Sequence, residues 1–414
     1  MALKQTPAYV KNSFYLFLIQ LSGYLVPILE LPILSRALGP EKYGHILFAN
    51  SLALLCAVFI EYGFNLYATR LVSQNREDKS VLGSLFFNIM LAKIIITLSL
   101  FLIILGFWVF TSTIDIFSPS MLGLILLFMM AYGFSPYWYF QGREKIFVIS
   151  VVELSLRFGM LMCLYIFINH PEDFFKAFLI QAVFGTVNTS FQSFLVMKNT
   201  DFVAPKIKQA LGLLKDSFHT FIFRGAQNIG NSMYTTVLGV LGSPYQVGIF
   251  SPVEKLVRAG VSFINPVATA AYPHMVSSFE SDVVGAKKQG YKILGFATVL
   301  SLIGAGVGFV LADPVIKFLF TDAFSESIGV LKWLVWLIPL RIYGQYISIL
   351  FLIPNKLERV SSLAIVVSLI LSLILSILLI PHIGVLGVVY SVLFVEGLQA
   401  LFLSFVLFKT ARPF

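Results

Sequence analysis

Twelve ionisable residues stand inside long apolar runs: Glu30, Glu61, Lys93, Glu153, Arg157, Arg224, Glu254, Lys255, Arg258, Lys332, Arg341 and Glu396. A charge at the centre of a bilayer costs about 2.5–3.5 kcal/mol on insertion scales, so such residues face a bundle interior, a partner or a water-filled path. Their spacing is not random. Glu153 with Arg157 and Glu254 with Arg258 are each four apart with the acid first, the better orientation for an ion pair along one helix. Each pair reads either as a self-neutralising device that eases insertion or as part of a binding surface, and Lys255 adds a spare cation beside the second. Arg224, Gln227, Asn228 and Asn231 fall on one stripe of a single helix. Glu61 with Asn65, and Arg341 with Gln345, repeat the theme at four-residue spacing. Seven of the twelve charges are positive. A cavity for organic cations would carry excess carboxylate. Excess Lys and Arg beside amide side chains suits an anionic, hydroxyl-rich ligand, because guanidinium forks onto phosphate oxygens and amides serve sugar hydroxyls as donor and acceptor.

These residues are positioned by membrane helices. Of 414 residues, 58% are apolar and only 12% charged, against about 25% charged in soluble domains. A soluble fold could not hide that much apolar surface. Runs long enough to cross a bilayer fall at about 13–34, 46–68, 81–110, 121–140, 146–168, 174–197, 218–241, 248–275, 291–312, 326–353, 360–380 and 384–408. The expected fold is all-α, a polytopic protein of twelve transmembrane helices in two pseudo-symmetric six-helix lobes. Continuous runs, without ten-residue alternation, exclude a strand barrel. With both termini inside, eighteen Lys and Arg lie in inner segments and only four (Arg36, Lys42, Lys176, Lys317) in outer ones, which predicts cytoplasmic termini. The net charge of +9 follows from the same bias and does not require nucleic acid. The first run contains Glu30 and no small-residue cleavage site, so it reads as a retained helix.

The connection 198–217 is the longest, and Ile207–Lys215 reads as a short amphipathic helix on the inner surface. The predicted organisation is therefore a first lobe over 1–199, a linker over 200–217 and a second lobe over 218–414. Leu38-Gly-Pro-Glu-Lys-Tyr-Gly44 joins runs one and two. About 203 residues on, Leu241-Gly-Ser-Pro-Tyr-Gln-Val-Gly248 joins runs seven and eight with one residue inserted. Matching outer turns point to a duplicated six-span unit, a transporter pattern with the substrate site near the midplane between repeats. Run eleven holds no central charge and reads as lipid-facing.

No P-loop and no HExxH motif occur, and the five histidines are scattered at span ends. Gly304, Gly306 and Gly308 read as a close-packing helix face. Cys56 and Cys163 lie in apolar runs and suggest neither a disulfide nor a metal site. No catalytic residue, metal or cofactor is expected; coupling to a proton or sodium gradient stays open. No extramembrane segment is long enough to fold as a domain.

Several segments resemble the O-antigen flippases, the polysaccharide-transporter branch of the multidrug/oligosaccharidyl-lipid/polysaccharide exporters. Arg36-Ala-Leu-Gly-Pro-Glu-Lys-Tyr-Gly44 is similar to the first outer turn of that family, and Pro136-Tyr-Trp-Tyr-Phe-Gln-Gly-Arg-Glu-Lys145 to its signature after span four. Pro252-Val-Glu-Lys-Leu-Val-Arg258 with Tyr272-Pro273 resembles its eighth span. Asp313-Pro-Val-Ile-Lys-Phe-Leu-Phe320 with Phe324, and Ile383-Gly-Val-Leu-Gly387, resemble its later segments. Thr321 and Asp322 depart from the glycine common there. The resemblance spans the chain. It implies a bacterial inner-membrane protein moving an undecaprenyl-pyrophosphate-linked oligosaccharide to the periplasmic leaflet through a V-shaped cavity, without enzymatic chemistry. A polysaccharide polymerase and a chain-length regulator are the implied protein partners. The candidate substrate-binding set is Arg224, Gln227, Asn228, Asn231, Arg258, Lys255, Glu254, Glu61, Asn65, Arg157, Arg341 and Lys93. The competing readings are a multidrug antiporter, disfavoured by the basic surplus, and a membrane polymerase or glycosyltransferase, disfavoured by the short outer loops. A scaffold has no reason to bury twelve ionisable groups.

Overall fold

The computed structural model describes residues 8–110 and 118–411, with the side chains of 8–22, 24, 107–110, 222–224, 226–228, 231 and 410–411 left aside. Among the described residues every regular element is helical. That is what lipid dictates: with no water to satisfy backbone N–H and C=O groups, each apolar run must close its own hydrogen bonds. The order is α1 (Ala8–Glu61), α2 (Phe64–Gln74), α3 (Lys79–Phe110), α4 (Pro119–Gly133), α5 (Tyr137–Gly142), α6 (Phe147–Phe167), α7 (Phe174–Lys198), α8 (Ile207–Leu241) and α9 (Pro244–Ser281). There follow α10 (Val283–Val310), α11 (Ala312–Leu319), α12 (Glu326–Leu334), α13 (Leu337–Ile347), α14 (Glu358–Ile383) and α15 (Val385–Ala411). Helix lies under each of the twelve apolar runs. Among the described residues, eight segments are both long and apolar enough to cross a bilayer on those grounds alone, the first of them covering two runs in Leu25–Gln74. Runs such as α7 are more polar, carrying Gln181, Asn188 and Gln192.

Three helices differ from the simple picture. The chain stays helical through the turn between runs one and two, and only Gly39, at φ 70°, leaves helical geometry. Run two is broken near its C-terminal end, where Tyr62 (φ 50°) and Gly63 (φ 73°) are left-handed before α2 begins. Ile207–Lys215 is not a separate helix: it forms the first turns of the 35-residue α8. Asn88 of α3 seals that start, accepting from the Lys206 amide at 2.8 Å and donating to Gln209 at 3.0 Å.

The chain divides into two compact units. The first holds residues up to Leu38 and His45–Met233; the second holds Gly39–Gly44 and Tyr234–Phe414. The border therefore cuts α8 in mid-helix, not in the connection before it. In the first unit Trp138, Tyr139 and Phe140 sit in a core with Phe64, Ala68, Val72, Phe86 and Ile149. Gly142 permits that packing, since a Cβ there would stand 2.6 Å from Val72 Cβ. In the second unit Val261, Ile264, Met275, Tyr346, Phe351 and Leu403 form the core. The Tyr346 hydroxyl donates to the Ile264 carbonyl at 2.7 Å, beside Pro266 inside α9.

Two helix ends share one backbone conformation. After span four, Glu144 takes φ 56°, with its N–H bonded to the Gln141 carbonyl and the Lys145 N–H to Phe140. After span ten, Lys356 takes φ 60°, with its N–H bonded to Ile353 and the Leu357 N–H to Leu352. Both are left-handed helix caps of one type, closing the last turn by paired backbone bonds.

The glycine-rich face of α10 corrects an expectation. A Cβ at Gly304 or Gly306 would meet open space, and only Gly308 approaches a neighbour, Val335 at 3.0 Å. Long aliphatic faces stay uncovered, as lipid contact requires: α14 exposes Leu363, Val367, Ile370 and Leu378.

Candidate functional site

Polar side chains inside the spans gather separately in each unit. In the first, Glu30 is buried and accepts a hydrogen bond from the Gln181 amide. Asn50 donates to the Gln181 carbonyl oxygen at 2.9 Å, so spans one, two and six meet at one buried cluster. Arg157 pairs with Glu153 at 2.6 Å and lies 3.5 Å from where a Gly23 Cβ would be. The i,i+4 geometry expected from spacing is thus formed. Asn188, Gln192 and Ser135 extend the polar line: Ser135 donates to Gln192 at 2.8 Å and Gln192 to Asn188 at 3.3 Å.

Lys93 and Glu61 have local structural work. Lys93 is fully buried, and its ammonium donates to the carbonyls of Gly133 at 2.7 Å and Ser135 at 3.5 Å. Those carbonyls end α4, where Pro136 prevents the helix from continuing. The Glu61 carboxylate accepts from the Gly63 amide at 3.0 Å and the Asn65 amide at 2.5 Å, capping the new start of α2 after the break. Asn65 itself is exposed.

In the second unit Arg258 pairs with Glu254 at 2.5 Å, with side chains 31% and 10% exposed. Arg341 pairs with Glu396 at 2.9 Å, linking α13 to α15, and also feels Glu254 and the Tyr234 hydroxyl electrostatically. Tyr234 shares a 2.7 Å hydrogen bond with Ser372. The Arg341–Glu396 pair thus lies within electrostatic reach of Glu254, and Lys255, half-buried, follows Glu254 on α9. The side chains of Arg224, Gln227, Asn228 and Asn231 lie outside the described residues, and only their place on α8 is fixed. Sequence reasoning missed the cluster of Glu30, Asn50 and Gln181 and the partnership of Arg341 with Glu396. Glu30 and Glu396 were visible as in-span charges, but their partners are far along the chain.

The polysaccharide biosynthesis protein family matches residues 9–279. The chain belongs to that family. A relative from Escherichia coli (strain K12), named "Putative O-antigen transporter", is 28% identical over 377 residues, covering 87% of this chain and 88% of its own. One of the same name from Shigella dysenteriae is 24% identical over 400 residues, covering 95% and 98%. Among solved structures, lipid II flippase MurJ in an inward closed conformation is similar at TM-score 0.70 and 14% identity, over 96% of this chain and 87% of that one. An inward-facing multidrug resistance MATE family transporter is similar at TM-score 0.70 and 13% identity, over 94% and 96%. The fold is that of a multi-pass membrane transporter, and nothing in this family resemblance points to an enzyme.

Proposed function

We propose that the protein is a flippase carrying undecaprenyl-pyrophosphate-linked O-antigen or related repeat units from the cytoplasmic to the periplasmic leaflet of the bacterial inner membrane. It does so by alternating access, with twelve spans and both termini cytoplasmic. The observation that carries the reading is the cluster of ion pairs Arg258–Glu254 and Arg341–Glu396 in the second unit, with Lys255 next to Glu254 in sequence, beside the four-residue polar spacing of Arg224, Gln227, Asn228 and Asn231 along the α8 sequence. A pyrophosphate is recognised by such cations through charge-assisted, forked hydrogen bonds. Sugars cannot cross hydrocarbon without unpaired polar groups, each costing several kcal/mol. A polar path removes that barrier without bond-making chemistry, and the tail stays in lipid. The names of the two relatives support the cargo class, and the two pseudo-equivalent halves support a rocking mechanism. The six-span lobes 1–199 and 218–414 are the moving bodies in this reading, joined by 200–217. A polymerase and a chain-length regulator are proposed to receive the product.

The test is deletion and complementation. Cells lacking the protein should accumulate lipid-linked repeat units in the cytoplasmic leaflet and lose the surface polysaccharide, both restored by the wild-type chain. Normal surface polysaccharide with altered tolerance of cationic drugs would instead favour an antiporter.

A further inference from the structure

The hairpin of α14 and α15 lies wholly within the second unit and is packed unevenly along its length. Gly384, at φ 59°, turns the chain between the two helices. Beside that turn a Cβ on Gly387 would stand 2.8 Å from the Ile380 amide nitrogen, so the helices start backbone against backbone. Further from the turn they leave a groove of about 480 Å³. It runs along α14 from Val360 to Leu371, about 16 Å at 1.5 Å per residue. Leu363 and Val367 of α14, with Leu398 and Phe402 of α15, line it and are exposed. Ser368 and Gln399 are its polar residues, and the Gln399 amide nitrogen leans toward α13, 3.9 Å from where a Gly344 Cβ would be. Glu396, the partner of Arg341, stands on α15 one turn from Gln399.

Shape narrows the choice of occupant. About 480 Å³ over about 16 Å gives a mean cross-section of about 30 Å². That is too narrow for a helix about 10–12 Å across, and it suits one extended hydrocarbon chain. The length matches half of a hydrocarbon core about 30 Å thick, the reach of one acyl chain from the surface to the midplane. An undecaprenyl chain would overrun it. Charge then selects the head group. At the end of the hairpin away from Gly384, Lys356, Arg359 and Lys409 are exposed, with Glu358 as the neighbouring acid. Among the described residues none of these three cations makes an ion pair. The first amides of α14 have no side-chain cap and add partial positive charge at the same end. Long basic side chains lay their stems along apolar surface and hold a phosphate with their heads.

We infer that the groove is a binding site for one anionic glycerophospholipid, its acyl chain between α14 and α15 and its phosphate at Lys356, Arg359 and Lys409. On the twelve-span reading above this is a lipid of the cytoplasmic leaflet; the site is independent of the cargo. The bound chain fills the gap between α14 and the helix that carries Glu396, so occupancy stabilises the second unit, as a ligand of the folded state does.

The experiment titrates delipidated full-length protein in detergent with dioleoyl-phosphatidylglycerol or dioleoyl-phosphatidylcholine, which share their tails and differ in head group. Bound lipid is counted by native mass spectrometry, and the melting temperature is followed in parallel. The wild type should bind one phosphatidylglycerol about tenfold or more tighter than phosphatidylcholine, and phosphatidylglycerol should raise its melting temperature more. Lys356→Gln, Arg359→Gln and Lys409→Gln together leave the groove intact and should erase that preference, each cation near the surface contributing about a factor of five. Ser368→Phe fills the groove and should weaken both lipids about fivefold or more. If Ser368→Phe does not accumulate, the variant of the three exposed cations decides alone. Equal affinity for the two lipids in the wild type, or a preference that survives in the triple variant, overturns the inference. So does unchanged binding in Ser368→Phe. Displacement of phosphatidylglycerol by equimolar undecaprenyl phosphate would assign the groove to a polyprenyl chain, and a dimer lost in Ser368→Phe would assign it to a second copy; either result overturns the inference too.

Discussion

Replacing Glu396 with Gln should destabilise the second unit much more than replacing the whole ion pair. Arg341 Nε and Glu396 Oε1 are 2.9 Å apart, and the two side chains keep only 21% and 20% of their surface exposed. At that separation and an effective dielectric near 20, the gross attraction is about 5–6 kcal/mol, most of it offset by desolvation. Glutamine leaves the guanidinium buried without its counter-charge, and breaking a buried pair in this way costs about 3–5 kcal/mol. Residual exposure places the expected loss near the low end, about 3 kcal/mol. For a unit of this size that corresponds to a fall of roughly 6–12 °C in melting temperature, readable by thermal shift of the detergent-solubilised protein. Arg341→Met should do similar harm, whereas Arg341→Met with Glu396→Met should recover most of the loss, giving a coupling energy of about 2 kcal/mol or more. Coupling below about 0.5 kcal/mol would refute the reasoning, because distant independent sites already add to within that margin. The same double variant bears on function: retained export would make the pair structural, and lost export in a stable protein would place Arg341 on the substrate.

Arg224→Ala should abolish export at normal membrane abundance, while Arg224→Lys, which keeps the charge but loses the fork, should retain part of it; export assays with abundance controls decide. Gly142→Ala should lower the melting temperature, since the added methyl meets Val72 and the Thr69 carbonyl, an overpacking cost of about 1–3 kcal/mol. Reporter fusions after Lys145, Ser217 and Lys409 should report cytoplasm and a fusion near Asp322 periplasm; a periplasmic signal at Lys409 would overturn the twelve-span topology. The Asp173 carboxyl is lowered to about 2 by its ion contact with Lys176 and by the Asn169 and His170 amides that bond it. Its folded value lies below the ordinary 3.8, so it stabilises this loop above that value and loses the contribution as pH falls toward about 2. Asp173→Asn should therefore lower thermal stability at pH 7, and the difference from wild type should shrink between pH 4 and pH 2.

The helices were legible because hydrocarbon demands long apolar runs. Spacing also found the pairs Glu153–Arg157 and Glu254–Arg258, whose partners lie one turn apart. It missed Glu396 as the partner of Arg341 and Gln181 as the partner of Glu30, since those meetings are set by helix packing over long chain separations. Lys93 looked like a substrate ligand by charge alone; the break at Pro136 gives it two helix-end carbonyls to hold. The break at Tyr62 and Gly63 was hidden in a run apolar enough to read as continuous helix.

The central claim is that this chain alone moves lipid-linked sugar between leaflets. The most direct measurement reconstitutes the purified protein in liposomes holding a polyprenyl-pyrophosphate-linked oligosaccharide and follows access of the sugar to an external hydrolase. The account predicts that the protected inner-leaflet fraction becomes accessible at a rate set by the amount of protein, and that Arg224→Ala abolishes the effect. Equal accessibility in protein-containing and empty liposomes would contradict it.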